Sequence, residues 1–177
     1  QHKIKRVTEA QAKKNAGPSA AEVEQNKIAE MVAKDGLQIV EVAPDGDCLF
    51  NSLLMGQGEH TGGEAVKALR ARAAQFIEDH ETEFSGFIEE EGGVKSYCEK
   101  VRKWPGGIWG SHVELTAISR DLHVPIIIHS ADANGITVIG EEFMVKDGGV
   151  KPLRVSFHKH MFTLGEHYNA VLPLSSK

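Results

Sequence analysis

Apolar residues recur along this chain with two periods, and the change from one to the other marks its elements. Ser19-Ala-Ala-Glu22 has the form of a capping box, in which a hydroxyl and a carboxylate three residues apart satisfy each other's backbone amides. It predicts a helix running to Lys34 and stopped at Gly36, with Ile28, Met31 and Val32 as a narrow apolar stripe. Residues 37–42 alternate instead, Leu37 and Ile39 facing one way and Val40 and Val42 the other, as in a strand. Val66, Leu69, Ala73, Phe76 and Ile77 return to helical spacing, and so do Val94, Tyr97, Cys98 and Val101. A second capping box, Ser111-His-Val-Glu114, predicts a helix to Leu122. The continuously apolar residues 125–129 read as a central strand, joined through an Asn134-Gly135 hairpin turn to residues 136–139. Residues 153–157 and 168–172 complete a sheet of about five strands. Helices first, then mostly hairpin-linked strands, give an α+β fold class. Residues 1–17 read as a polar helix or irregular arm. Residues 1–36 are thus an N-terminal helical extension, and 37–177 the main domain.

Composition narrows what such a domain can do. At 177 residues the chain suits a single core. No apolar run approaches the ~20 residues of a membrane span, and a signal peptide's apolar region is not seen at the start. The net charge of −5 argues against nucleic acid as the main partner. Residues 1–15 are locally basic (Lys3, Lys5, Arg6, Lys13, Lys14), which reads as a solvated surface. There are two cysteines, Cys48 and Cys98, in no Cys-x-x-Cys pair and no zinc-like spacing. Neither a disulfide scaffold, a metal nor a cofactor is expected, and a reducing cytoplasmic or nuclear setting is. Cys98 lies on the apolar face of its helix and reads as a small buried hydrophobe.

Cys48 is different. It follows the tight turn Asp45-Gly-Asp47 and opens a short apolar helix. The helix's positive end would favour a thiolate there, and a histidine beside it would complete a thiolate–imidazolium pair. Gly46 tolerates unusual dihedrals, so the backbone amides of Asp45, Gly46, Asp47 and Cys48 could converge on an oxyanion. The local motif reads equally well as a capping turn, with Asp47 as N-cap and Cys48 as a buried first-turn residue. The balance is shifted by His167 and Asn169. Two apart on a strand, they share a face, so the Asn amide oxygen can accept from one imidazole nitrogen and leave the other for the sulfur. Tyr168, Ala170 and Leu172 then point into the core. Cysteine, distant histidine and neutral asparagine follow the logic of a cysteine hydrolase. His158 and His160 alternate just before this segment, where they read as a solvated strand end or as lining of the cleft. His112 and His129 have no acidic partner in sequence and read as structural.

Three blocks now line up: Asp45-Gly-Asp-Cys-Leu-Phe-Asn-Ser52, Trp109-Gly-Ser-His-Val-Glu-Leu-Thr-Ala-Ile-Ser119 with its following apolar strand, and Glu166-His-Tyr-Asn-Ala-Val171. In this order and spacing the chain resembles the ovarian-tumour (OTU) domain cysteine proteases, a deubiquitinase family, over about residues 37–173. The N-terminal helix leans toward the branch in which an OTU domain ends a longer helical protein. The resemblance implies a papain-like fold of OTU type. It also implies a ubiquitin isopeptidase that works as a monomer through a thioester, with Cys48 as nucleophile, His167 as general base and Asn169 as third member. Asp45 matches a position counted with the active site, as support for the Cys loop or oxyanion hole or as a substitute third member. Residues 104–112 match a variable loop and residues 156–166 the loop before the histidine, both bordering a channel for the ubiquitin tail. Trp109, with Gly106, Gly107 and Gly110, would suit the wall of that channel, although Trp109 reads equally as core. Ubiquitin or polyubiquitin is the implied partner. The alternative is a ubiquitin-binding module with weak or no catalysis, and a hydrolase for another acyl group is the third reading.

Overall fold

The first helix forms where the capping box places it. In the structure, a computed structural model describing residues 17–144, 150–162 and 165–174, α1 spans Ala20–Lys34. Both arms of the Ser19–Glu22 box are made, and Gly36 leaves the helix at φ +69°. The arm expected over residues 1–17 lies outside the described residues except for Gly17. Ile28 and Val32 are fully buried, and Met31 lies at the margin. Each full burial removes enough apolar surface to contribute about 2 kcal/mol.

The remaining elements are β1 (Leu37–Val40), α2 (Cys48–Gln57), α3 (Gly63–Asp79), α4 (Glu81–Phe84), α5 (Gly93–Arg102), α6 (His112–Leu122), β2 (Ile126–Ser130), β3 (Ile136–Ile139), β4 (Leu153–Phe162) and β5 (Gly165–Pro173). The strands make one sheet in the order β1-β5-β4-β2-β3. Its alternation separates two layers. Ile126, Ile128, Leu153, Val155 and Tyr168 face a core with Leu49, Phe50, Leu53 and Leu115 from α2 and α6. On the other face Val171, Leu37 and Ile39 meet Ile28 and Val32 of α1. Cys98 sits fully buried in a third cluster with Ile77, Phe84, Val94 and Val101.

Two expectations about the strands are corrected. The β2–β3 and β4–β5 pairs are antiparallel neighbours, but β2 also lies parallel to β4, a long-range pairing that local turn signals do not carry. Residues 156–166 are mainly strand and not a loop, for β4 runs five residues past Phe157. Ser156 and His158 look like loop residues because they are polar, yet both are fully buried on the face that α1 covers.

Candidate active site

Cys48 is the first residue of α2 and is 2% exposed. The turn before it is held from within. Asp45 Oδ1 accepts from the Asp47 N–H at 2.9 Å, and the Asp45 carbonyl accepts from the Cys48 N–H at 3.2 Å. The Asp45 N–H goes to Ala43 at 2.9 Å. The expected convergence of four amides on one point is therefore not the arrangement found. Three amides are satisfied inside the turn, and that of Gly46 makes no hydrogen bond among the described residues. Asp47 occupies the N-cap position but makes no side-chain cap. Its carboxylate turns away to Arg70 Nε at 2.8 Å and to Trp104 Nε1 at 3.0 Å.

Arg70 is the residue that sequence reasoning missed here. Its guanidinium is fully buried and donates to the carbonyls of Gly46 (2.7 Å), Val101 (3.1 Å) and Ile108 (3.0 Å) as well as to Asp47. It also lies 4.2 Å from the centre of the Phe50 ring. The planar fork thus ties the Cys loop to the end of α5 and to residues 104–108. A signal was present: Arg70 falls four residues after Val66 and three before Ala73, inside the apolar stripe of α3.

His167 and Asn169 share one face of β5, both buried, with His167 Nε2 2.9 Å from Asn169 Oδ1. The same oxygen accepts from the Val42 N–H at 3.0 Å, while Nδ2 lies 3.7 Å from Met161 Sδ. These contacts fix the chemistry of the pair. An amide oxygen only accepts, so Nε2 carries the proton and Nδ1 of the neutral ring keeps its lone pair. Nδ1 is buried with no hydrogen-bond partner among the described residues. Val42 precedes the Cys loop, so Asn169 joins that loop to the histidine. Tyr168, the next residue of β5 after His167, lies in the same buried cluster as Cys48.

The electrostatics differ from the expected resting ion pair. Burial pushes the Cys48 thiol up, with the nearby Asp45 charge in the same direction, and the amides of Tyr168, Leu49 and Cys48 pull against it. Burial also pushes His167 down, against the Asn169 bond and the Asp45 and Glu41 charges. Both groups are thus held toward their neutral forms, because a low-dielectric site disfavours both charges.

The glycines and histidines assigned to a channel are placed differently. A Cβ on Gly107 would lie 2.2 Å from the Lys103 carbonyl, and one on Gly110 2.4 Å from Leu49 Cδ2. Close packing by itself therefore requires a glycine at both positions. Trp109 is 41% exposed, so it is not core, and its ring lies over Gly46. A groove of about 380 Å³ opens beside Tyr168, lined also by Ser111, His112, Ile128, Phe157 and Glu166. His112, expected to be structural, is exposed there. His160 is exposed but lies in a depression beside α1. His158 is fully buried, not a solvated strand end; it pairs across the sheet with His167 and hydrogen-bonds Ser156 Oγ at 2.9 Å. Among the described residues no group of three or more His, Cys, Asp or Glu side chains could hold a metal ion.

Burial holds His158 down to about 4 against an ordinary value of 6.5. The native state therefore binds fewer protons than the unfolded chain between these values, so this stability is fully present above pH 6.5 and lost as pH falls toward 4. One such proton is worth up to about 3 kcal/mol. His129 and His167 shift in the same direction. Thermal unfolding should show a falling midpoint over this window, with part of the slope removed in His158→Gln. An unaltered slope in that variant would show that His158 is not the titrating group.

The geometry can be set beside known proteins. A family model described as OTU-like cysteine protease matches residues 43–168. Ubiquitin thioesterase otu2 of Schizosaccharomyces pombe is 31% identical over 160 residues, covering 84% of this chain and 50% of that protein. Deubiquitinase OTUD6B of Homo sapiens is 30% identical over 177 residues, covering 96% and 57%. The chain thus spans about half the length of the curated relatives it matches. The OTU domain of OTUD1 superposes with a TM-score of 0.62 at 22% identity, covering 86% of this chain and 95% of that one. An OTU domain solved in complex with ubiquitin gives 0.59 at 23%, covering 76% and 69%. With its α+β fold, its buried cysteine at a helix start and its His-Asn pair on the adjoining strand, the chain belongs to the OTU-like cysteine protease family.

Proposed function

We propose that this chain is a ubiquitin isopeptidase in which Cys48 is the nucleophile, His167 the general base and Asn169 its orienter. The observation that carries the reading is the His167–Asn169 hydrogen bond, which leaves a basic Nδ1 on the strand residue next to Tyr168, a member of the buried cluster that holds Cys48. The thiol proton passes to Nδ1 as the sulfur attacks the carbonyl of the ubiquitin C-terminal glycine. The imidazolium returns that proton to the leaving lysine amine, and a thioester remains. Water, deprotonated by the same nitrogen, then releases ubiquitin and the thiol. The Gly46 N–H is the amide of the Cys loop open to the oxyanion, and Asp45 supports the turn by holding the Asp47 amide.

The tail of ubiquitin is assigned to the groove beside Tyr168, and exposed Trp109, whose ring lies over Gly46 of the Cys loop, to the surface that meets the tail. His158 and His160 are not part of this surface. Residues 37–177 supply the chemistry and residues 1–36 the helical extension. Two free thiols agree with a reducing cytoplasmic or nuclear setting, and the chain is proposed to act as a monomer on ubiquitin or polyubiquitin.

A ubiquitin bearing a C-terminal electrophile tests the reading. The expected product is a single adduct on Cys48, with Cys98 untouched in the same digest. Reversible binding without an adduct would favour a ubiquitin-binding module. No interaction would leave a hydrolase for another acyl group.

A further inference from the structure

α1 carries a carboxylate inside its buried face. Glu24, Ile28 and Val32 recur every four residues, and Glu24 is only 5% exposed. Its Oε1 accepts from the Lys159 N–H at 2.8 Å and its Oε2 from the His160 N–H at 2.9 Å. Successive amides of a regular strand point to opposite sides. Both reach one carboxylate here because the β4–β5 register breaks: β4 advances four residues from His158 to Phe162 while β5 advances two from His167 to Gly165. Such a bulge leaves ladder amides without strand partners, and a bulge next to a reactive group re-aims side chains. This one delivers Met161 to Asn169, with Sδ 3.7 Å from Nδ2. It also sets the Phe162 ring edge-on against His167, centroids 4.8 Å apart at 82°. The bulge therefore packs both members of the pair, and Glu24 is what anchors it to α1.

We propose that Glu24 is a positioning residue for the His167–Asn169 pair, acting through the β4 bulge. The proposal rests on the assignment of that pair to catalysis, and it makes α1 part of the catalytic apparatus and not only a cover for the sheet. Without the carboxylate, two amides lose their acceptor, the bulge relaxes, and the support on both side chains loosens. Small displacements of a proton acceptor lower the rate of the chemical step more than they weaken binding of a large substrate.

The test compares Glu24→Ala, Glu24→Gln and Ile28→Ala in the full chain with a fluorogenic ubiquitin C-terminal substrate. Glu24→Ala should lower kcat by on the order of tenfold while KM stays within about twofold. Glu24→Gln keeps one accepting oxygen and nearly the same shape, so it should fold as the parent does and fall between the two. Ile28→Ala loosens the helix without touching the carboxylate and should lose melting temperature but little kcat. The His167 Nε2–H resonance is read in parallel and should shift or broaden in both Glu24 variants. An unchanged kcat in Glu24→Gln and Glu24→Ala, a KM effect alone, or an equal loss in Ile28→Ala would each overturn the proposal. If the parent turns over no ubiquitin substrate, the functional reading fails instead. The resonance then decides, since an unmoved signal in Glu24→Gln refutes positioning regardless of turnover.

Discussion

Cys48→Ala should abolish cleavage of ubiquitin C-terminal substrates while leaving ubiquitin affinity nearly intact, and His167→Ala should lose almost as much. In the proposed mechanism Cys48 supplies the sulfur of the thioester, so its removal would leave no covalent route. In the same mechanism His167 is the base: its Nε2 proton is committed to Asn169, and its Nδ1 has no hydrogen-bond partner among the described residues. Losses on the order of 10⁴-fold or more are expected for each, and the double variant should be scarcely worse, because residues that act as a unit are not additive. Turnover should rise with pH along a limb set by His167, with a midpoint below the ordinary imidazole value of about 6.5, since burial holds that ring neutral. Asn169→Ala should be milder in kcat, although it also frees the Val42 amide and so loosens the Cys loop. Asp45→Ala is the rival test. A silent Asn169→Ala with a severe Asp45→Ala would pass the third role to Asp45. Full turnover by Cys48→Ala would remove the nucleophile assignment altogether.

Much of this arrangement is legible in the chain because it rests on local rules. The Ser19–Glu22 and Ser111–Glu114 boxes set two helix starts, and both boxes are made. The stripe Val94, Cys98, Val101 is buried as its spacing predicts. His167 and Asn169 meet because a strand puts alternate residues on one side. What escapes a reading of sequence is polarity that is buried. Ser156 and His158 look like a loop, Arg70 like a surface charge, and Glu24 like the wet side of a helix, yet α1, the Cys loop and the sheet enclose all four. Burial of this kind is settled by contacts distant in sequence. The same holds for Gly107 and Gly110, whose small size answers to Lys103 and Leu49. Likewise the Cys-loop amides depend on where the Asp45 carboxylate turns, which the Asp-Gly-Asp string leaves open.

Arg70→Met should destabilise the protein by about 3–5 kcal/mol, the scale for removing one partner of a buried ion pair. The loss exceeds that of a cavity of the same size because of what stays behind. The carbonyls of Gly46, Val101 and Ile108 would each lose a donor, and Asp47 would keep only Trp104. A drop in melting temperature on the order of 10 °C follows for a domain of this length. Arg70→Lys should recover little of it. An ammonium is a single point of charge, whereas these acceptors surround a planar fork that also stacks on Phe50. The consequence reaches the site through Gly46, whose carbonyl the fork holds two residues before Cys48. At temperatures where Arg70→Met remains folded, alkylation of Cys48 should therefore change in rate while Cys98 stays protected in its separate cluster. A loss below about 1 kcal/mol, the usual range for exposed pairs, would mean the fork is replaceable by water. A full stability loss with Cys48 reactivity untouched would mean that Arg70 braces α3 and α5 but not the loop that presents Cys48.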